Sequence, residues 1–204
     1  MSASEHKDNS IKTFFTNNSD KTLFLKLKRY KDKQAFVAVY DQYLTPIYRF
    51  VYFKVNDQAE AEDLTSQVFL KCWSYIQDGK ITDYGTIRAF LYKVARNTVI
   101  DYYRQKTENL ALDEVKDIVD EQPISGEAID QNISVALIAG QLKKLKDEYR
   151  EALILKFVNE LSTAEIAEIL GKTRGNVRVL LHRAERALKK LVTEEENKSL
   201  VVSR

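Results

Sequence analysis

The residues with the most chemistry to offer form a cationic run near the C-terminus. Arg174, Arg178 and His182 recur every four residues, and Arg183, Arg186 and Lys190 make a neighbouring strip. Residues three and four apart share one face of a helix, so this spacing gathers the cations on one side. Guanidinium groups on such a face bind phosphate oxygens and, bidentately, guanine O6 and N7. Arg178 is the candidate base reader, and His182 is either a phosphate contact or an inert surface residue. The competing view is a solvated basic face on an ordinary helical hairpin. Catalytic chemistry finds little material. His6 and His182 are the only histidines, Cys72 the only cysteine, and neither a glycine-rich phosphate loop nor a carboxylate–histidine cluster occurs. No enzyme, cofactor, metal site or disulfide is therefore expected.

The elements that must position this face are legible in Ser162 to Leu191. Ser162 and Glu165 have capping-box spacing, so each satisfies a backbone donor at a helix start. Ala167 is small enough to let a second helix approach. Gly171, four residues on, supplies the left-handed conformation of a tight inter-helix turn. Val177, Leu181, Ala184 and Leu188 follow at helical spacing and would pack the second helix onto the first. This is a helix-turn-helix pattern, in which the second helix enters the DNA major groove.

Apolar stripes at helical spacing fill much of the remaining chain. They run from Leu23 through Phe36, Val39, Tyr40, Tyr43, Ile47, Phe50 and Val51, with Pro46 marking a kink or a junction. The next stripe, Ala61, Leu64, Val68, Cys72 and Ile76, follows a cap at Asn56 or Asp57. A third comprises Ile87, Phe90, Leu91, Val94, Ala95, Val99 and Tyr102, and its helix ends on Arg104 and Lys106. Cys72 sits inside its stripe, as a buried core residue would.

The net charge of +2 conceals an uneven distribution. Glu108, Asp113, Glu114, Asp117, Asp120, Glu121, Glu127 and Asp130 stand against Lys116 alone, between basic blocks. The fold class expected is all-α: two small helical domains joined by a flexible acidic linker. The boundaries are an extension at 1–22, a first domain at 23–106, the linker at 107–132, a second domain at 133–192 and a flexible tail at 193–204. Neither a signal-peptide pattern nor a run of ~20 apolar residues is present, so a soluble cytoplasmic protein without membrane insertion is expected.

Three blocks in order carry a family resemblance. Asp147-Glu148-Tyr149-Arg150-Glu151-Ala152, Leu161 to Ala167 and Asn176 to Ala184 resemble the −35-binding fourth conserved region of bacterial sigma factors. Ala61 to Phe69 resembles the helix with which these factors grip the coiled coil of the polymerase beta-prime subunit. Arg88 to Arg104 resembles their −10 recognition and melting helix. The spacing and the missing third domain are similar to the extracytoplasmic-function (ECF) group of the sigma-70 family.

The resemblance implies a non-enzymatic subunit that binds core RNA polymerase, through the beta-prime coiled coil and the beta flap, and directs it to promoter DNA. It implies −35 contacts from Arg174, Asn176, Arg178, Val179, His182, Arg183 and Arg186. For the melted −10 strand it implies Arg88, Lys93, Arg96, Asn97 and Arg104, and for docking Asp63, Leu64, Gln67 and Phe69. Relatives often carry Gln-Glu where Ser66-Gln67 stands here, Trp in place of Phe90, and basic residues in place of Leu180 and Glu185, which lightens the −35 set. Melting without nucleotide hydrolysis requires binding the single strand better than the duplex, through stacking surfaces beside phosphate-tracking cations. Tyr84, Tyr92, Tyr102 and Tyr103 are candidates for stacking or for core, and Phe90 is expected in the core. The acidic linker is expected to occupy positively charged polymerase surfaces until RNA displaces it, or else to be simply solvated. An anti-sigma factor is a further candidate partner. The alternative is a stand-alone helix-turn-helix regulator with an N-terminal sensing domain.

Overall fold

The computed structural model describes residues 20–81, 85–112 and 140–202. Helix α1 covers 20–30 and is followed by α2 (Lys33–Val55), α3 (Gln58–Gln77), α4 (Ile87–Leu112), α5 (140–143), α6 (Asp147–Leu153), α7 (Thr163–Leu170) and α8 (Arg174–Val202). A π-helical turn, Ile154–Val158, extends α6. No strand occurs among the described residues. The acidic stretch from Asp113, Tyr84 and the extension before Asp20 lie outside them.

The described residues fall into two compact units: 20–51 with 57–81 and 85–99, and 52–56 with 100–112 and 140–202. In the first, most of the expected stripes are buried, although Leu23 and Phe36 are half-buried and Tyr40 is exposed. Val39, Tyr43, Ile47 and Phe50 of α2 are all fully buried. Each such side chain contributes about 1.5–3 kcal/mol of burial. Together they outweigh the ~3 kcal/mol that an interior proline costs. Helix α2 accordingly runs through Pro46 without interruption. Asp32 opens it, accepting from the Gln34 backbone at 2.8 Å, after a left-handed Lys31 (φ 51°) has ended α1.

Asp57 caps α3, its carboxylate accepting from the Glu60 backbone N–H at 2.8 Å. Ala61, Leu64, Val68, Cys72 and Ile76 face inward. Burial pushes the Cys72 thiol far above its ordinary pKa, so it behaves as a small apolar filler rather than a nucleophile. Asp57→Ala is expected to cost about 1 kcal/mol of unfolding free energy. A denaturant titration whose midpoint does not move would contradict that assignment.

Two helices outrun their expected ends. Helix α4 continues past Lys106 to Leu112, and α8 continues past Thr193 to Val202. Neither extension contains Gly or Pro, and adding residues to an existing helix costs little. The i,i+4 pair Lys190–Glu194 (3.7 Å) supports the second.

In the second unit α8 packs on both α6 and α7. Val177, Leu180, Leu181 and Ala184 supply its buried face, while Ala152, Leu153, Ile154, Leu155, Ile166, Ala167 and Ile169 are buried in the helices before it.

Candidate nucleic-acid and polymerase interfaces

The helix-turn-helix is built as its spacing predicts. The Ser162 side chain accepts from the Glu165 backbone at 3.3 Å, and the Glu165 carboxylate accepts from the Ser162 backbone at 2.8 Å. Gly171 ends α7 in the left-handed region (φ 64°, ψ 34°). The Lys172 backbone N–H then reaches the Ala167 carbonyl at 2.9 Å, which closes the turn. Thr173 opens α8 by accepting from the Asn176 backbone at 3.2 Å.

With one face of α8 buried, the other is fixed by helix geometry. Arg174, Asn176, Arg178, Val179, His182, Arg183 and Arg186 are all exposed, so the structure brings the whole expected −35 set onto open surface. Gly175, Val179, His182 and Arg186 lie along its centre at steps of four, three and four, with Arg178 on one flank and Arg183 on the other. Leu180 is turned inward, which accounts for an apolar residue there. Beside the Arg183 flank lies an open concavity of ≈ 340 Å³, lined by Glu148, Tyr149, Lys172, Asn176, Val179, Leu180 and Arg183. An ion pair between Lys172 and Glu148 (2.9 Å) sits at its rim. Its partners stand 24 residues apart in the sequence and follow no local spacing rule that would have signalled the pair.

On α4 the expected −10 residues divide. Lys93, Asn97 and Arg104 are exposed and spaced four and seven apart, with Arg96 half-buried beside them. Arg88 is placed differently: half-buried, it stacks over the Tyr43 ring at 5.9 Å. Tyr43 donates to the buried Asp20 carboxylate at 2.5 Å, and Gln42 donates to the same carboxylate at 2.9 Å. Burial and the Asp20 carboxylate hold the Tyr43 phenol well above its ordinary range, so it remains a donor. Arg88 thus belongs to a polar cluster that ties α1, α2 and α4 together. Phe90 is fully buried, as expected, and so is Tyr92, edge-on to Phe50 at 5.6 Å. Tyr103 is part-exposed and donates to the Lys54 carbonyl at 2.9 Å.

The docking set on α3 also divides. Leu64 and Phe69 are 4% and 3% exposed, so they are core residues that fix the helix and not contact surface. Phe69 meets Tyr40 edge-on at 4.7 Å. Asp63 and Gln67 are exposed and share their stripe with Leu70, which is 71% exposed. Leu70 was missed in the sequence, although its i+7 relation to Asp63 signals it. Another unremarked surface is a groove of ≈ 550 Å³ in the second unit, lined by Leu153, Phe157, Glu185, Leu188, Lys189, Val192 and Thr193. Phe157, on the π turn, is 59% exposed there.

Residues 39–108 match the family model of Sigma-70 region 2, and residues 136–188 match that of Sigma-70, region 4. The ECF RNA polymerase sigma factor SigW of Bacillus subtilis is 31% identical over 169 residues, covering 78% of this chain and 89% of SigW. SigM of the same organism is 29% identical over 160 residues, covering 78% of this chain and 96% of SigM. BldN of Streptomyces coelicolor is 32% identical over 80% of this chain, which spans only 62% of BldN. Among solved structures, CnrH in complex with the cytosolic domain of CnrY gives a TM-score of 0.65 at 18% identity, covering 86% of this chain and 98% of that one. The sigma factor RpoE of Bartonella quintana, in complex with the anti-sigma factor NepR, gives 0.60 at 21% identity, covering 78% and 96%. Those two likenesses speak to the fold. The sequence matches go further, and on them the chain belongs to the ECF sigma factors of the sigma-70 family.

Proposed function

We propose that the chain acts as a cytoplasmic, non-catalytic subunit that binds core RNA polymerase and directs it to promoters, with α8 on the −35 element and the exposed face of α4 on the melted −10 strand. The observation that carries this reading is the pairing of an open cationic recognition face on α8 with a polar stripe on α3, Asp63 and Gln67, that ends in the exposed Leu70. A stand-alone helix-turn-helix regulator needs the first and has no use for the second.

The division of labour follows from what each surface offers. Asp63, Gln67 and Leu70 form a mixed polar–apolar stripe suited to the beta-prime coiled coil. Lys93, Asn97 and Arg104 give α4 phosphate-tracking cations around an amide that can pair with an unstacked base. Arg178 and Arg183 flank the −35 face. The groove around Phe157 suits the beta flap, an apolar contact that would hold the second unit on the polymerase. An anti-sigma factor is a further partner in this reading, as NepR is for RpoE.

Run-off transcription tests it: sigma-free bacterial core polymerase is given genomic promoter fragments with and without this chain. Discrete transcripts that require the chain are expected. Tight, specific duplex binding by the chain alone, with no such transcripts, would favour the stand-alone regulator instead. Phe157→Asp is expected to weaken transcription from promoters that depend on a −35 element by roughly tenfold or more, the effect of removing one apolar hot spot. Because Phe157 is already exposed, its thermal midpoint should stay close to that of the parent. Equal transcription from both proteins would remove the groove from the docking surfaces.

A further inference from the structure

The N-terminal half of the centre line of the α8 face is not cationic. Gly175 and Val179 occupy it, one helical turn apart, and Val179 is 51% exposed between Arg178 and Arg183. Neither residue is explained by the fold. Val179 points away from the core that Val177, Leu180 and Leu181 make. A Cβ built on Gly175 would meet nothing nearer than the Thr173 hydroxyl at 3.9 Å, an ordinary contact, and its φ is not in the left-handed region. Alanine would fit there and would favour the helix. Among the described residues neither sterics nor backbone conformation requires the glycine, which leaves open space beside the helix at this point.

A low, apolar strip flanked by guanidinium groups matches one feature of the major groove. Guanine offers O6 and N7, which suit arginine, whereas thymine offers a methyl group, which suits an aliphatic side chain. We infer that Val179 reads a thymine in the −35 element through its 5-methyl group, and that Gly175 leaves the room for α8 to approach the bases closely enough to do so. Specificity at that position is then set by burial of one methyl group, and at flanking positions by Arg178 and Arg183. This inference rests on the −35 role of α8 proposed above.

The test uses holoenzyme assembled from the full chain and bacterial core polymerase, on a promoter selected by run-off transcription. Each −35 thymine is replaced in turn by deoxyuridine, which removes only the methyl group. Binding of the parent holoenzyme is expected to fall roughly fourfold at one position, the transfer value of one buried methyl-sized group. In Val179→Ala holoenzyme, binding to the thymine promoter is expected to be weaker, and the deoxyuridine effect at that position is expected to vanish. Gly175→Ala is expected to weaken promoter binding while the thermal midpoint of the free chain holds or rises. The inference is overturned if every thymine can be replaced without effect, if Val179→Ala keeps the full deoxyuridine effect, if Gly175→Ala binds as the parent does, or if the selected −35 elements lack thymine on both strands. If Arg178→Ala still loses promoter binding in those cases, the −35 role of α8 stands and only the methyl reading falls. A parent holoenzyme that selects no promoter would take down both.

Discussion

Changing Leu70 to Asp together with Asp63 to Lys is expected to lower affinity for core polymerase by roughly 100-fold or more, the range reached when a central contact of a protein interface is removed. Both side chains are exposed on α3 and neither contributes to the core of its unit, so secondary structure and thermal midpoint should stay near those of the parent. That separation is the point of the double variant. Truncating Leu64 or Phe69 would also abolish binding, but by opening a cavity that costs about 2–5 kcal/mol of stability, and would say nothing about contact. Competition against a labelled relative for core polymerase reads the effect directly. Unchanged competition would mean that the chain docks through some other surface.

The second large effect is expected at Arg178. Its replacement by Ala should cost about 1–3 kcal/mol at one base pair, so the holoenzyme should tolerate substitutions there that the parent rejects. Arg186→Ala offers the contrast. A residue that holds a phosphate weakens binding evenly across sequences and reduces the slope of log affinity against log salt by about one. Salt titrations of both variants on matched and mismatched promoters separate the two roles. A uniform loss from Arg178→Ala would reassign it to the phosphate backbone, leaving base reading to its neighbours.

The parts of the molecule legible in the sequence were those governed by local rules. The Ser162–Glu165 capping box, the left-handed turn at Gly171, the Asp57 cap and the buried stripes of α2, α3 and α4 each depend on residues within one or two turns of one another. Phe90 and Cys72 were placed in the core on the same grounds. Roles assigned residue by residue were harder to see, because a motif does not tell which of its members face outward. Leu64 and Phe69 were expected among the docking residues but are buried. Arg88 was expected on the −10 strand but stacks on Tyr43, near Asp20, across three helices. The Lys172–Glu148 pair joins α6 to the turn before α8, the groove at Phe157 lies where α6 and the π turn meet α8, and such contacts leave no periodic trace. Helix ends were misjudged where polarity was taken for irregularity, at Leu112 and Val202.

The most direct test of the central claim is permanganate footprinting of a selected promoter, which marks thymines that have lost their stacking. With core polymerase and this chain together, reactive thymines are expected in the −10 region and nowhere upstream of it. They should be absent with either component alone, and strongly reduced when Asn97 is replaced by Ala. Protection of a duplex site by the chain without polymerase, and no reactive thymines when both are present, would contradict the account.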